Sequence, residues 1–329
     1  MSYGLTVRVL EEVLPLGHVL AATTIRRHVA TLSHRLENTD AIAVEQRRHI
    51  DPSAGRCDIP QCSSVRAVGI DGGYIRLAGH RSHLDGWFEV IVGKSLRDDR
   101  RGHSFAYVHK LEDNPADRML AFLAREGVAR DRPVTFLSDG GDTVRRAQID
   151  FGDCGESVLD WLHVAMRVQN LEQMIKGLPE CDDRPCADAL INTQHRAKWH
   201  LWHGCPYPAL SRLESLSWEL GANCSSEEAR LLDRLEEFIG YLENNQNFIV
   251  NYGDRCRHDE PITSSFVESA VNQVVSRRFV KRQQMAWRPA HAHGLLQLRT
   301  AVLNEQLRSC FERWYPALAA NNQAHHLAA

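Results

Sequence analysis

No stretch of this chain holds the roughly 18 consecutive apolar residues that a membrane-spanning helix needs. The opening segment, MSYGLTVRVLEEVLPLG, lacks the basic-then-apolar order of a secretory signal. These absences predict a cytoplasmic protein with no membrane partner. Disulfide-framework character is missing too: the nine cysteines are odd in number and scattered, which fits reduced thiols. Cys57 and Cys62 make half a zinc site, with no second pair at a suitable spacing. Excess charge is also absent, since 39 Lys and Arg face 42 Asp and Glu for a net charge of −3. There is no internal repeat and no low-complexity tract.

What is present suits a globular protein of one large or two ordinary domains: 329 residues, 43% hydrophobic and 25% charged. The small net charge hides segregation. Residues 264–300 carry Arg277, Arg278, Lys281, Arg282, Arg288 and Arg299 against Glu268 alone, a local sum of +5. Residues 211–262 sum to −6. A basic segment attracts phosphates through its local field whatever the total, although such a run also suits a solvated helix face.

Along the chain, 1–40 reads as helical, with a Pro-Leu-Gly break that makes it a candidate helix-turn-helix or a supporting hairpin. Residues 41–64 read as a linker. From 65 to 177 the pattern becomes three strands (VRAVGIDGGYIRL, GWFEVIVGKSL, HSFAYVHKL), a helix after Pro115, a fourth strand (RPVTFLSDGGD), then a short strand entering a helix. Residues 178–262 read as an all-helical insertion, with Ser225 and Glu228 spaced as a capping box and Trp199 and Trp202 expected in its core. Helices over 263–310 and a tail over 311–329 close the chain.

The chemistry-bearing residues are acids at strand ends. Asp71 ends the first strand before Gly72-Gly73, and Asp139 ends the fourth before Gly140-Gly141. Asp-Gly at a strand end is ordinary turn chemistry, but two matched sites on neighbouring strands set two carboxylates side by side. Like charges that close repel. A hard divalent cation with oxygen ligands relieves the repulsion and leaves room for a substrate phosphate. Asp142, beyond the glycines, competes with Asp139. Glu268 in SSFVESAVNQVV is the candidate third ligand. An α-helical period puts Asn272, Val275 and Phe279 on its face, and Ser265 makes a capping box the competing role. Asp160 and His163, in DWLH, stand where a strand meets a helix.

The order of these features resembles the DDE transposases with a ribonuclease H-like core. IDGGY, SDGG, DWLHVAMRVQNL, KWHLWHG and VESAVNQVVSRRF…QQMAW…LLQLR resemble the ISKra-type bacterial insertion-sequence transposases, related to the Mutator-like group. The resemblance implies an α/β fold, a ribonuclease H-like mixed sheet flanked by helices with an all-α insertion and N-terminal helices. It implies Asp71, Asp139 and Glu268 as ligands of two magnesium or manganese ions, with Asp71 bridging them. His163, with Asp160, would support the site or the DNA strand. Arg277, Arg278, Lys281 and Arg282 would contact backbone phosphates. The implied activity is metal-dependent cleavage and strand transfer at inverted-repeat DNA ends, by a homodimer or larger synaptic assembly in the bacterial nucleoid. A structure-selective nuclease on the same core, a truncated DNA-binding remnant without catalysis, and a helical interaction protein are the alternatives.

Overall fold

In the computed structural model the chain is a mixed α/β protein. The structure describes residues 3–15, 20–48, 64–79, 86–99, 101–112, 114–128, 133–144, 155–179, 185–221, 226–280 and 286–317. The strands are β1 (Val65–Arg76), β2 (Trp87–Arg97), β3 (Ser104–Val108), β4 (Val134–Ser138) and β5 (Gly155–Leu159), hydrogen-bonded in the order β3-β2-β1-β4-β5. β2 and β3 are antiparallel. β4 is parallel to both β1 and β5. The β1–β2 hairpin is antiparallel, as its end bonds show: Leu77 N–H donates to Gly86 O at 2.6 Å, and Asp98 N–H to Ser64 O at 3.2 Å. Ala67, Val68 and Ile70 are all buried, so both faces of this part of β1 are covered, the usual condition of a strand with parallel neighbours.

The chain divides into two compact units, and the division falls within β1 at Ile70 and Asp71. The first unit takes in helices α1 (Tyr3–Val13) and α2 (Ala22–Arg48), the β1–β2–β3 region from Asp71, α3 (Pro115–Arg125), and the C-terminal helices α10 (Pro289–Leu303) and α11 (Leu307–Trp314). Its core joins Ile75, Val90, Val92, Ala106 and Val108 to Val274, Phe279 and Leu296. Polar bonds fix α10 on β3: Gln297 Nε2 donates to Ala106 O at 2.8 Å, and Asn304 bonds the backbone of Ser104 in both directions at 2.8 and 2.7 Å. A linker is expected from residue 41, but α2 continues to Arg48. Residues 41–48, AIAVEQRR, contain no glycine or proline to stop it. The Cys57–Cys62 pair lies outside the described residues.

The second unit holds Arg66–Ile70 of β1, β4 and β5, and the helices α4 (Trp161–Lys176), α5 (Ala187–Trp202), α6 (Pro206–Gly221), α7 (Ser226–Asn245) and α8 (Tyr252–Arg257). Trp161 anchors it, with ring centroids 4.8 Å from Trp202 and 4.9 Å from Tyr252. The Tyr252 hydroxyl donates to Leu159 O at 2.9 Å. Trp202 is therefore part of the packing as expected, but Trp199 is 59% exposed, against its expected place in the core. On α5 the buried face is Leu190, Gln194, Ala197 and Leu201, and Trp199 falls outside that stripe. Ser225, the expected capping residue, lies outside the described residues.

One helix departs from its expected geometry. α9 (Ser265–Val271) is α-helical, but Asn272–Val280 continues it as a π-helix. Its i→i+5 bonding shifts the faces. Glu268 and Asn272 are exposed while Val275 and Phe279 are buried, so the shared face expected for all four does not form. Arg299 on α10 donates through Nε to Val274 O at 3.0 Å and through Nη2 to Gln273 O, two successive π-helical carbonyls. Burial holds the Arg299 pKa below its ordinary value, and charge-assisted bonds compensate for the desolvation. Replacing Arg299 with Met should lower unfolding free energy by about 1–3 kcal/mol, read from urea denaturation. An unchanged midpoint would show that the π segment holds without it.

Candidate active site

In the first unit, Asp71 accepts a 2.7 Å bond from Gly72 N–H, which holds the carboxylate against the following turn of backbone. Two contacts set the helix against this part of the sheet, and a bridge beyond the helix extends them. Lys94 Nζ meets Ser269 Oγ at 3.4 Å. A Cβ on Gly73 would lie 3.6 Å from Val275 and 3.9 Å from Val271. Leu77 forms a parallel bridge with Trp287. Residue number rises together along strand and helix, so the two run in the same sense. Asp71 shares a strand face with Gly73, and Glu268 lies one helical turn before Val271. The Glu268 side chain is exposed.

In the second unit, β1 and β4 pair in parallel with Ile70 opposite Ser138. In sequence, Ile70 is followed by Asp71 of the first unit and Ser138 by Asp139. Asp139 begins a constrained turn. Gly141 N–H donates to its Oδ1 at 3.0 Å, and the Tyr241 hydroxyl to its backbone carbonyl at 2.9 Å. Gly140 has φ +73°, and a Cβ there would come within 2.5 Å of Asn245 Oδ1 and 2.7 Å of Leu159. Only glycine fits both the conformation and the space. Asn245 is buried and donates to Tyr241 O at 2.9 Å, while Arg167 lies 4.3 Å over the Tyr241 ring. Burial pushes the Tyr241 phenol pKa well up, so it stays a neutral donor. Asp142 is exposed.

Asp160 is wholly buried at the N-terminus of α4. Its Oδ1 accepts from Leu162 N–H at 2.7 Å, and its Oδ2 accepts from Ser264 N–H at 3.0 Å and from the Ser264 hydroxyl. His163 Nδ1 is 3.1 Å from the same Oδ2. Burial alone would raise the Asp160 pKa, but the His163 and Ser264 bonds outweigh it and hold the group below the usual carboxylate range. The bond fixes the His163 ring: with a proton on Nδ1, Nε2 is the lone-pair nitrogen of the neutral ring.

The four expected phosphate-contacting residues do not behave alike. Arg277 is exposed. Arg278 is only 6% exposed, with its guanidinium 4.7 Å over the Trp287 ring, and burial lowers its pKa. It is a packing residue, because a cation stacked inside the first unit cannot reach a nucleic-acid backbone. Lys281 and Arg282 lie outside the described residues. Among the described residues, no group of three or more His, Cys, Asp and Glu side chains is gathered closely enough to hold a metal ion.

No family model matches this chain, and no characterised protein matches it well enough to establish kinship. The chemistry therefore rests on the residues alone. Tyr241, Asn245 and Ser264 brace the turns at Asp139, Gly140 and Asp160, and the sequence does not announce them. They come from residues roughly a hundred positions away, and none has a local motif.

Two outcomes follow. Gly140→Ala should destabilise the protein by about 1–3 kcal/mol, seen as a lowered thermal midpoint. Asp160→Asn should cost about 1.5–3 kcal/mol near neutral pH. Because its folded pKa is depressed, the Asp160 contribution is present above the ordinary unfolded value, about 3.9. It is lost as pH falls through the lower folded value. Stability curves of variant and parent should converge in acid; a constant gap down to the acid limit would remove the assignment.

Proposed function

We propose that this protein is a metal-dependent DNA transposase of the DDE type on a ribonuclease H-like core. The observation that carries the reading is the register of β1 and β4, in which Ile70 pairs with Ser138 and each strand continues into an aspartate. The strand order supports the finer fold reading, since it sets the first strand beside the fourth, the two on which the resemblance puts acids.

Asp71 and Asp139 suit a hard divalent cation such as Mg²⁺. They are an oxygen-only pair, and two carboxylates plus a substrate phosphate are a common donor set for that ion. Glu268, exposed on its helix, would be the third oxygen ligand. A bound cation supplies Lewis-acid polarisation of the phosphodiester and a more acidic water. The chain's own residues do the rest. Tyr241 and the Gly140 turn hold Asp139 in place. Asp160 orients His163 so that one ring nitrogen is directed by a buried carboxylate. Arg277 contributes a phosphate contact without sequence information. Arg278 has no part in it.

Asp71→Asn should reduce Mg²⁺-dependent strand cleavage on the order of a thousandfold or more while leaving DNA binding intact. Asp139→Asn should do the same, and Asp142→Asn should not. Retained cleavage in Asp71→Asn overturns the reading. Cleavage of branched DNA without joining of element ends to a target would replace transposase with nuclease.

A further inference from the structure

The second unit carries an aromatic and cationic surface that the acid chemistry does not use. Trp199 lies off the buried stripe of α5, and 59% of it is exposed. The ring is nevertheless held. Its centroid lies 4.3 Å from that of His203, tilted by 51°, and 5.3 Å from that of His200, edge on at 80°. His203 is itself anchored, since it caps the end of α5 and forms an antiparallel bridge with Asn251. The turn after it is fixed by Gly204, at φ +72°, where a Cβ would come within 2.8 Å of Asn251 N. The indole is therefore a platform braced by two imidazoles and still more than half exposed.

Cations stand around this platform. Arg196 is exposed, three residues before Trp199 and four before His200, on the same side of the helix. Burial, then the charges of Arg212 on α6 and of His203, hold the His200 pKa below its ordinary value, which puts Arg212 near the imidazoles. Neither Arg196 nor Arg212 forms a hydrogen bond or an ion pair among the described residues. Neither has an acid three or four positions away on its helix. The exposed face of α6 differs. Tyr207 and Trp218 are more exposed than Trp199, but Glu214 lies seven residues after the first and four before the second, on their face.

An unpaired nucleotide offers a flat π-face beside a phosphate. An aromatic ring beside guanidinium groups meets both features at once, and a braced ring loses little freedom when a base stacks on it. A duplex keeps its base faces to itself. An acidic peptide matches the cations and leaves the indole unused.

We propose that this surface binds single-stranded nucleic acid, with one base stacked on Trp199 and the adjoining phosphates on Arg196 and Arg212. This goes beyond the transposase reading and does not rest on it.

The test is fluorescence anisotropy of labelled oligo(dT) and oligo(rU), each of about ten nucleotides, within the length that single-strand sites cover. Each is titrated with the full chain in buffer that holds a chelator and no Mg²⁺. Both should bind, because stacking and phosphate contacts read neither sequence nor the 2′-hydroxyl, and the tighter one names the natural source. Trp199→Ala should weaken binding by about tenfold, and Trp199→Phe should restore most of it. Arg196→Ala and Arg212→Ala should each weaken binding and lower its salt slope by about 0.7. Trp218→Ala, exposed but beside Glu214, should bind as the parent does. Absent binding, or unchanged affinity in Trp199→Ala, overturns the proposal. So does an equal loss of duplex affinity in that variant, because a paired base cannot stack. Polyglutamate of matched charge that binds as tightly as oligo(dT) also overturns it and assigns the surface to an acidic protein segment. Asp71→Asn should bind oligo(dT) as the parent does, so failure here is distinguishable from failure of the cleavage reading.

Discussion

Parallel pairing of β1 with β4 is the constraint on which the candidate chemistry depends. Register in a sheet is quantised: a slip of one residue turns every side chain to the opposite face. Both faces of this part of β1 are covered, so burial alone does not choose its register; the ladder from Ala67–Thr135 to Ile70–Ser138 does. Asp71 follows the buried run of β1, and Asp139 follows Phe136, Leu137 and Ser138, all buried in β4.

Buried carboxylates then act as fasteners. Asp160 joins the start of α4 to the Ser264 segment within the second unit. Glu126 does similar work in the first: it is buried and accepts from Ser95 Oγ at 2.8 Å and Arg97 Nη1 at 3.1 Å, with His103 Nδ1 2.5 Å away. In both cases burial would raise the pKa, and the surrounding donors bring it below the ordinary value. Each unit therefore contains an acid whose charge is stable only while its donors stay assembled.

Element types were legible in the sequence because they follow local pattern. Runs rich in Val, Ile, Phe and Tyr mark β1 to β4, Pro115 marks the start of α3, and helical period marks the segments between Ala187 and Arg257. Long-range and backbone effects were not legible. A π-helix has no distinct composition, so Asn272–Val280 reads as ordinary α-helix until Arg299 is seen bonding two of its carbonyls. Arg278 reads as a surface cation because charge runs usually face solvent, and only Trp287 shows otherwise. Trp199 reads as core because tryptophan usually is, yet its position on α5 falls off the buried stripe. At the site, Asp71, Asp139, Asp160 and His163 are visible as motif residues. Tyr241 and Asn245 are not, since nothing near them in sequence says which turn they hold.

The order in which the first unit's parts leave the ribosome has a consequence of its own. Val108 on β3 donates its N–H to His293 on α10, 185 positions later in the chain. At about 5–20 residues per second, the nascent β2–β3 hairpin waits roughly 10–40 s for the helix that covers it. Through that interval Val90, Val92, Ala106 and Val108 lack their C-terminal cover. Apolar surface uncovered for that long during synthesis is open to wrong association, so the late helix protects the sheet as well as completing it.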